Sequence, residues 1–272
     1  MFKNLTPGCI GLSGPPKRLF ELAKSVGFEG IDPPMSESLE QIRALYAEHG
    51  LRVGCLGLPT NFRADESTFL DGLDELANAS AKAAVIGCTR CVTWIGPSSD
   101  ELPFAENFRR HVQRLASVAR VLGDHGLRLG LEYVGPKTSW TKGRHPFIHT
   151  QEGMLELMEA IGEPNVGLML DAWHWHTSGG TAADILSLTD DQVVQVHLND
   201  APAGIPIDEQ LDNVRELPGA TGVIDTATFL GALKEIEYKG PVTPEPFCAR
   251  LLELPQDEIA VTVGQAMDRV WM

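Results

Sequence analysis

The chain is short of basic residues. Against 37 Asp and Glu it carries only 22 Lys and Arg, for a formal net charge of −15 over 272 residues. A protein that grips a nucleic-acid backbone would usually show a basic face, so this balance argues against a nucleic-acid partner. No apolar run is long enough to span a bilayer. The opening MFKNLTPG lacks the basic, apolar and small-residue regions of a signal peptide, and the expected location is the cytoplasm with no membrane partner. Cysteine is sparse too. Cys9, Cys55, Cys88, Cys91 and Cys248 form an odd, scattered set, which suggests reduced thiols rather than a disulfide framework. Cys88 and Cys91 make one C-x-x-C, but a structural zinc site would need a second pair, and a thioredoxin-like role is weakened because Cys91 reads as lying inside a strand. No G-x-G-x-x-G follows the first strand, which removes the main signature of a dinucleotide fold.

What is present is a regular alternation. Strands are expected at about 6–12, 28–31, 51–58, 90–95, 127–132, 166–171, 193–198 and 241–245. Helices are expected at 16–26, 38–49, 69–86, 104–122, 150–161, 181–188, 226–236 and 257–270, several closed by a glycine such as Gly50, Gly87 or Gly123. Two long loops stand out, 133–149 and 199–224. Strict strand–helix alternation implies parallel strands with right-handed crossovers. Eight units in roughly 250 residues is the size of a TIM barrel. The expectation is therefore an α/β fold, a (β/α)8 TIM barrel, as a single domain over residues 1–272.

In such a barrel, chemistry sits where the strands end at their C-termini. Strand five ends at Glu132, strand six at Asp171, strand seven carries His197 near its end, and strand eight ends at Glu245. Each follows an apolar run, so none reads as an ordinary solvated charge. The stretch VGLMLDAWHWH shows the alternatives. Asp171 can cap the following helix with His174 packed beside it, or both can be metal ligands or acid/base groups. Three carboxylates and an imidazole around one mouth suit one divalent metal ion. Mn2+ is the first choice, with Mg2+, Co2+ or Zn2+ as alternatives. Without a cation the carboxylates would raise one another's pKa.

These stretches resemble the xylose isomerase-like TIM barrels, in particular the sugar phosphate isomerase/epimerase superfamily. That group includes ketose 3-epimerases, inosose dehydratases, hydroxypyruvate isomerases and, more distantly, endonuclease IV. The likeness is carried by GLEY (Glu132), GLMLDAWHW (Asp171, His174), VVQVHLNDAP (His197), DNVRELPG (Arg215) and GPVTPEPF (Glu245). The resemblance implies that Glu132, Asp171, His197 and Glu245 bind the metal and that His174 and Arg215 contact the substrate. It also implies a small-molecule sugar substrate and leaves a homo-oligomer open. One departure stands out: the family's glutamate–glycine pair after Pro-Gly is replaced here by Ala220-Thr221-Gly222.

The expected chemistry is metal-dependent isomerisation or epimerisation of a keto sugar through an enediolate. Glu132 and Glu245 come from non-adjacent strands and can flank the substrate as acid and base. The alternative is a dehydratase or lyase acting on an inosose or keto-glycoside at the same site. An endonuclease IV-like phosphodiesterase would need a three-metal cluster. Its further ligands are missing at Gly57-Leu58-Pro59, Trp94-Ile95-Gly96 and Asp212-Asn213-Val214. Trp173 and Trp175 suit either a pocket wall or the core. The loop 137–149, with Lys137, Lys142 and Arg144, suits either a lid over an anionic substrate or a solvated surface.

Overall fold

In a computed structural model, which describes residues 1–271, the chain forms eight parallel strands, seven of them followed by a crossover helix and the last by the closing helix. The strands are β1 Phe2–Leu5, β2 Gly30–Ile31, β3 in two pieces Arg52–Val53 and Leu56–Gly57, β4 Arg90–Trp94, β5 Arg128–Glu132, β6 Val166–Asp171, β7 Val193–Leu198 and β8 Pro241–Pro244. The helices are α1 Pro16–Ser25, α2 Leu39–His49, α3 Glu66–Val85, α4 Phe104–Asp124, α5 Gln151–Ile161, α6 Ala182–Leu186, α7 Thr226–Glu235 and α8 Gln256–Val270. Both β6 and β7 are buried along their whole length, as mostly apolar strands must be once helices cover one face and the barrel core the other; in β7, Gln195 and His197 are the polar exceptions.

The sheet closes through β3. Its first piece pairs with β2 and its second with β4, so the chain changes neighbours at Gly54-Cys55. There the Cys55 N–H leaves the ladder and donates to Asp32 Oδ1 at 2.8 Å. A Cβ on Gly54 would lie 2.1 Å from that same oxygen, so only glycine fits. The sequence reads 51–58 as one continuous strand, and this half-buried carboxylate is why it is not.

The first strand also differs from expectation. It runs over Phe2–Leu5 instead of 6–12, and Pro7–Ile10 is a 3-10 turn. Pro7 has no N–H to give a ladder and Gly11 sits at φ +77, so residues 6–12 cannot continue a strand. The true strand was disguised by Asn4, a polar residue that is fully buried and donates to Asp32 and Thr243 inside the barrel. The loop 133–149 is also more ordered than a plain loop. It holds a short helix, Lys137–Trp140, and a strand, His145–Pro146, that pairs antiparallel with Ser98–Ser99.

Helix ends follow local rules. Ser38 and Gln41 form a reciprocal capping box on α2, while Asp65 and Thr150 accept the first N–H groups of α3 and α5. Among the described residues, no helix is long and apolar enough to cross a membrane. All five cysteines are unpaired thiols, and Cys91 lies buried within β4.

Candidate metal centre

Four strands deliver four side chains to one point. Glu132 ends β5, Asp171 ends β6, His197 lies in β7, and Glu245 follows β8. One ligand atom from each lies within 4.8 Å of those of the other three. His197 Nδ1 is 3.1 Å from Glu245 Oε2, 3.7 Å from Glu132 Oε1 and 3.8 Å from Asp171 Oδ2. All four residues are buried. Both His197 Nδ1 and Glu132 Oε1 lack a hydrogen-bond partner, although they face each other. Buried polar atoms left unpaired are costly, and two of them aimed into a nest of carboxylates fit a dication. Oxygen donors with one imidazole nitrogen are the donor set of Mn2+, Mg2+ or Co2+, with Zn2+ also accommodated.

Asp171 serves both of its sequence readings at once. It is the N-cap of the helix Ala172–Thr177: Oδ1 accepts from Trp173 N at 2.6 Å and from Asn199 Nδ2 at 2.9 Å. Its other oxygen, Oδ2, faces the cluster and accepts from Arg215 Nη1 at 2.8 Å. The same guanidinium nitrogen donates to Glu245 Oε2 at 2.9 Å, and Nη2 donates to Asp212 Oδ1 at 2.9 Å. Arg215 therefore stands within the cluster despite the altered loop. Its guanidinium lies between the rings of Trp173 and Phe247, 5.4 and 4.7 Å from their centroids.

The loop is held by Asp200, which is fully buried. Asp200 Oδ2 accepts from the N–H groups of Thr221 and Gly222, and Oδ1 from those of Ala201 and Ile224. An antiparallel bridge between Asp200 and Glu216 fixes the residue next to Arg215.

These contacts set the charge states. Burial pushes the Glu132 carboxyl well above its usual range; His197 opposes this, while Glu245 and Asp171 add to it. Burial would also raise Asp171, but Arg215, His197 and His174 outweigh it and hold the acid well below the usual carboxylate range. Glu245 is lowered in the same way: burial opposes ionisation, and His197 with Arg215 overcomes it. For His197, burial favours the neutral ring, yet Glu245, Asp171 and Glu132 together hold its pKa well above normal. His174 is lowered, chiefly by burial. Its Nδ1 accepts from Gly135 N at 3.1 Å, so in the neutral ring the proton is on Nε2, which stands 3.4 Å from Arg215 Nη2 and 3.8 Å from Asp212 Oδ1.

A cavity of about 630 Å3 opens from the cluster. Glu132, His174, Arg215 and Glu245 line its inner end, and Trp94 and Phe247 are among its walls. Phe247 has φ +36, an unusual backbone for a bulky residue, which fits strain held at a functional site. All six site residues expected from the sequence thus meet in one place. Sequence reasoning missed Arg63, Asp212, Phe247 and Cys9 as neighbours of the site. Cys9 Sγ lies 3.4 Å from Glu245 Oε1, on the turn after β1. Arg63 was findable in principle, because it lies in the loop after β3, where the barrel rule places binding residues. Trp173 and Trp175 are buried; Trp173 underlies Arg215, and Trp175 packs on Phe229 in the core. Among the described residues, no second acid/histidine group sits beside the first to complete a three-metal cluster.

The family described as "Xylose isomerase-like TIM barrel" matches residues 20–268. An inosose isomerase of Halalkalibacterium halodurans is 25% identical over 200 residues, 73% of this chain and 67% of that protein. Other curated relatives carry the names 3-dehydroshikimate dehydratase (Pseudomonas putida, 26% identical, 88% of this chain and 37% of the relative) and ketose 3-epimerase (Arthrobacter globiformis, 23%, 84% and 76%). The chain spans about half the length of several inosose isomerases it matches. Among solved structures, a xylose isomerase domain protein of Alicyclobacillus acidocaldarius superposes with a TM-score of 0.89 at 29% identity, covering 99% of this chain and 98% of that one. The IolI protein, solved with a bound zinc atom, superposes with a TM-score of 0.84 at 21% identity, with coverage of 99% and 98%.

Proposed function

The chain belongs to the xylose isomerase-like TIM barrel family, and from that premise we propose that it is a divalent-metal-dependent isomerase or epimerase of a keto sugar. The observation that carries this reading is the convergence of Glu132, Asp171, His197 and Glu245 within 4.8 Å, with two buried donor atoms lacking any partner. Those four residues would hold the metal. When bound, the dication supplies Lewis-acid stabilisation of the negative charge that develops on substrate oxygens as the α-proton leaves.

The chain's own groups do the rest. Glu132 and Glu245 reach the site from strands separated by two others, a separation that lets them approach a ligand in the cavity from different sides. One takes the α-proton of the keto compound and the other returns a proton to the opposite face, giving an epimer. If a single carboxylate moves the proton between carbons, the product is the aldose. His174 Nε2–H and the Arg215 guanidinium bind and orient substrate oxygens at the inner end. Arg215 also fixes Glu245 by a hydrogen bond, which keeps that carboxylate aimed while it works. Trp94 and Phe247 wall the cavity and exclude water from the sugar's apolar face.

A dehydratase is the second reading. Its specific support is His174, whose Nε2–H on the cavity wall beside a fixed cation is suited to hydrogen-bonding a hydroxyl that leaves from the carbon beyond the enediolate, while the carboxyl that took the α-proton passes it to the departing oxygen to release water. Deuterium wash-in separates the two. The Mn2+-loaded protein is incubated in D2O with ketoses, inososes and keto-glycosides, and the α-carbon protons are followed by NMR. Exchange with a new diastereomer or aldose is the expected outcome. Exchange accompanied by loss of a hydroxyl would move the assignment to a dehydratase, and no exchange from a metal-loaded protein across a broad panel would remove the proton-abstraction reading.

A further inference from the structure

The cavity has two ends of different electrostatic character. At the inner end every cation is matched: Arg215 contacts Asp171, Glu245 and Asp212. The outer end is lined by Arg63 and Lys142, both exposed. Among the described residues, neither has a carboxylate within 4.0 Å, although nearby Lys137 is paired with Asp208 at 2.5 Å. In a chain with a net charge of −15, two unmatched cations lining the cavity that holds the acidic cluster call for a reason.

Both side chains are presented by a fixed backbone. The Arg63 guanidinium lies 4.2 Å from the ring centroids of both Phe62 and Trp94 and donates to the Trp94 carbonyl. Its own carbonyl accepts from Arg110. Although the residue is exposed, the two rings packed on its guanidinium strip part of its hydration and lower its pKa to about 10, so it stays cationic at neutral pH. On the other side, Lys142 sits on a docked turn. Gly143 is packed so close to Ser98 that a Cβ would be 2.8 Å from its Oγ, and Arg144 N donates to Asp100 at 3.0 Å. Trp94 pairs in register with Glu132 across β4 and β5. Neighbouring strands lie about 4.8 Å apart. Arg63 is thus one strand and one stacked ring away from a cluster carboxylate, a span suited to a small sugar.

We propose that the substrate carries an anionic oxygen group, a carboxylate or a phosphate ester, at the end remote from its keto group, and that Arg63 and Lys142 receive it. This rests on the metal-dependent keto-sugar reading above and narrows its substrate class. The planar guanidinium supplies two parallel N–H donors to such a group, and the ammonium adds a point charge.

The test uses three ligands that share the keto end and differ only at carbon six: D-fructose, D-fructuronate and D-fructose 6-phosphate. Each is titrated into the Mn2+-loaded protein, and binding is followed through the tryptophan fluorescence to which Trp94 contributes. A charge-assisted hydrogen bond predicts about 10- to 100-fold tighter binding of fructuronate than of fructose. Arg63→Gln should bring that ratio close to one while leaving the fructose Kd unchanged, and Lys142→Ala should reduce it part of the way. A larger gain for fructose 6-phosphate, equally dependent on Arg63, would identify the group as a phosphate ester. Equal binding of all three, binding of none, or an Arg63→Gln loss that falls equally on fructose would overturn the proposal. In parallel, exchange at carbon three is measured in D2O. A preserved binding ratio with no exchange from any ligand would sink the enediolate reading and leave the anion site standing.

Discussion

Asp171 shows how much one carboxylate is asked to do. Its Oδ1 caps a helix and its Oδ2 holds Arg215 and faces the acidic cluster. Asp171→Asn should keep the capping contact and lose the charge; Mn2+ affinity, measured by titration calorimetry, is expected to fall about 10- to 100-fold. Glu132→Gln and Glu245→Gln should each cost at least about 100-fold in turnover with an unchanged far-UV spectrum, since they remove a proton carrier and not a packing group. Near-native activity in either variant would refute its assigned role. The His111 ring lies outside the cluster, packed on Phe62 and Phe147, and burial pushes its pKa down to about 4. The unfolded chain takes up this proton near pH 6.5, whereas the folded one resists until near 4. Stability is therefore full above about pH 6.5 and is lost as pH falls through that window, by up to about 3 kcal/mol. Denaturant melts across pH 4–7 should show this slope, and His111→Phe should flatten it. The six candidate residues were legible as a group because each acid or histidine followed an apolar run or sat in a recognised motif. Arg63 and Asp212 were not, because they lie in polar loops where one charge looks like another until the backbone brings it to the cavity.

At the level of elements, strands with mostly apolar sequence were placed to within a residue or two, β6 and β7 among them. Those that failed were short and interrupted by polar contacts, with too few apolar residues around them to carry the pattern as β7 does around Gln195 and His197. Asn4 hides in β1, and Asp32 draws Cys55 out of β3. A pattern of apolar residues cannot report a strand of two to four residues when one of them turns a polar side chain inward. The break in β3 gives its own prediction. Gly54→Ala must displace the Asp32 carboxylate or the Asn4 amide, and should cost about 1–3 kcal/mol in chemical denaturation. A neutral result would mean that the polar layer around Asp32 yields more easily than its hydrogen bonds suggest.

For the molecule as a whole, three buried carboxylates inside an already acidic protein make the folded state a partner of its cation. A ligand that binds only the native state at 100 times its Kd adds about 2.7 kcal/mol. Stripping metal with a chelator should thus lower Tm by several degrees, and Mn2+ should restore it. Glu245→Gln should weaken that response. A Tm indifferent to both chelator and metal would argue that Arg215 alone supplies the positive charge that the cluster needs.

The grip of Asp200 on its loop has a consequence for how such a barrel can change. All four of its contacts are to main-chain N–H groups, which every residue but proline offers. Ala220-Thr221-Gly222 can therefore stand where relatives have other residues, and Arg215 still arrives at Asp171 and Glu245. Residues 202–211 lie between two fixed sockets, with Asp212 kept on the frame because its side chain and carbonyl accept from Arg215. A segment of different length or chemistry, spliced in between Ala201 and Asp212, should fold onto the same frame and change what the cavity admits without dismantling the cluster beneath it.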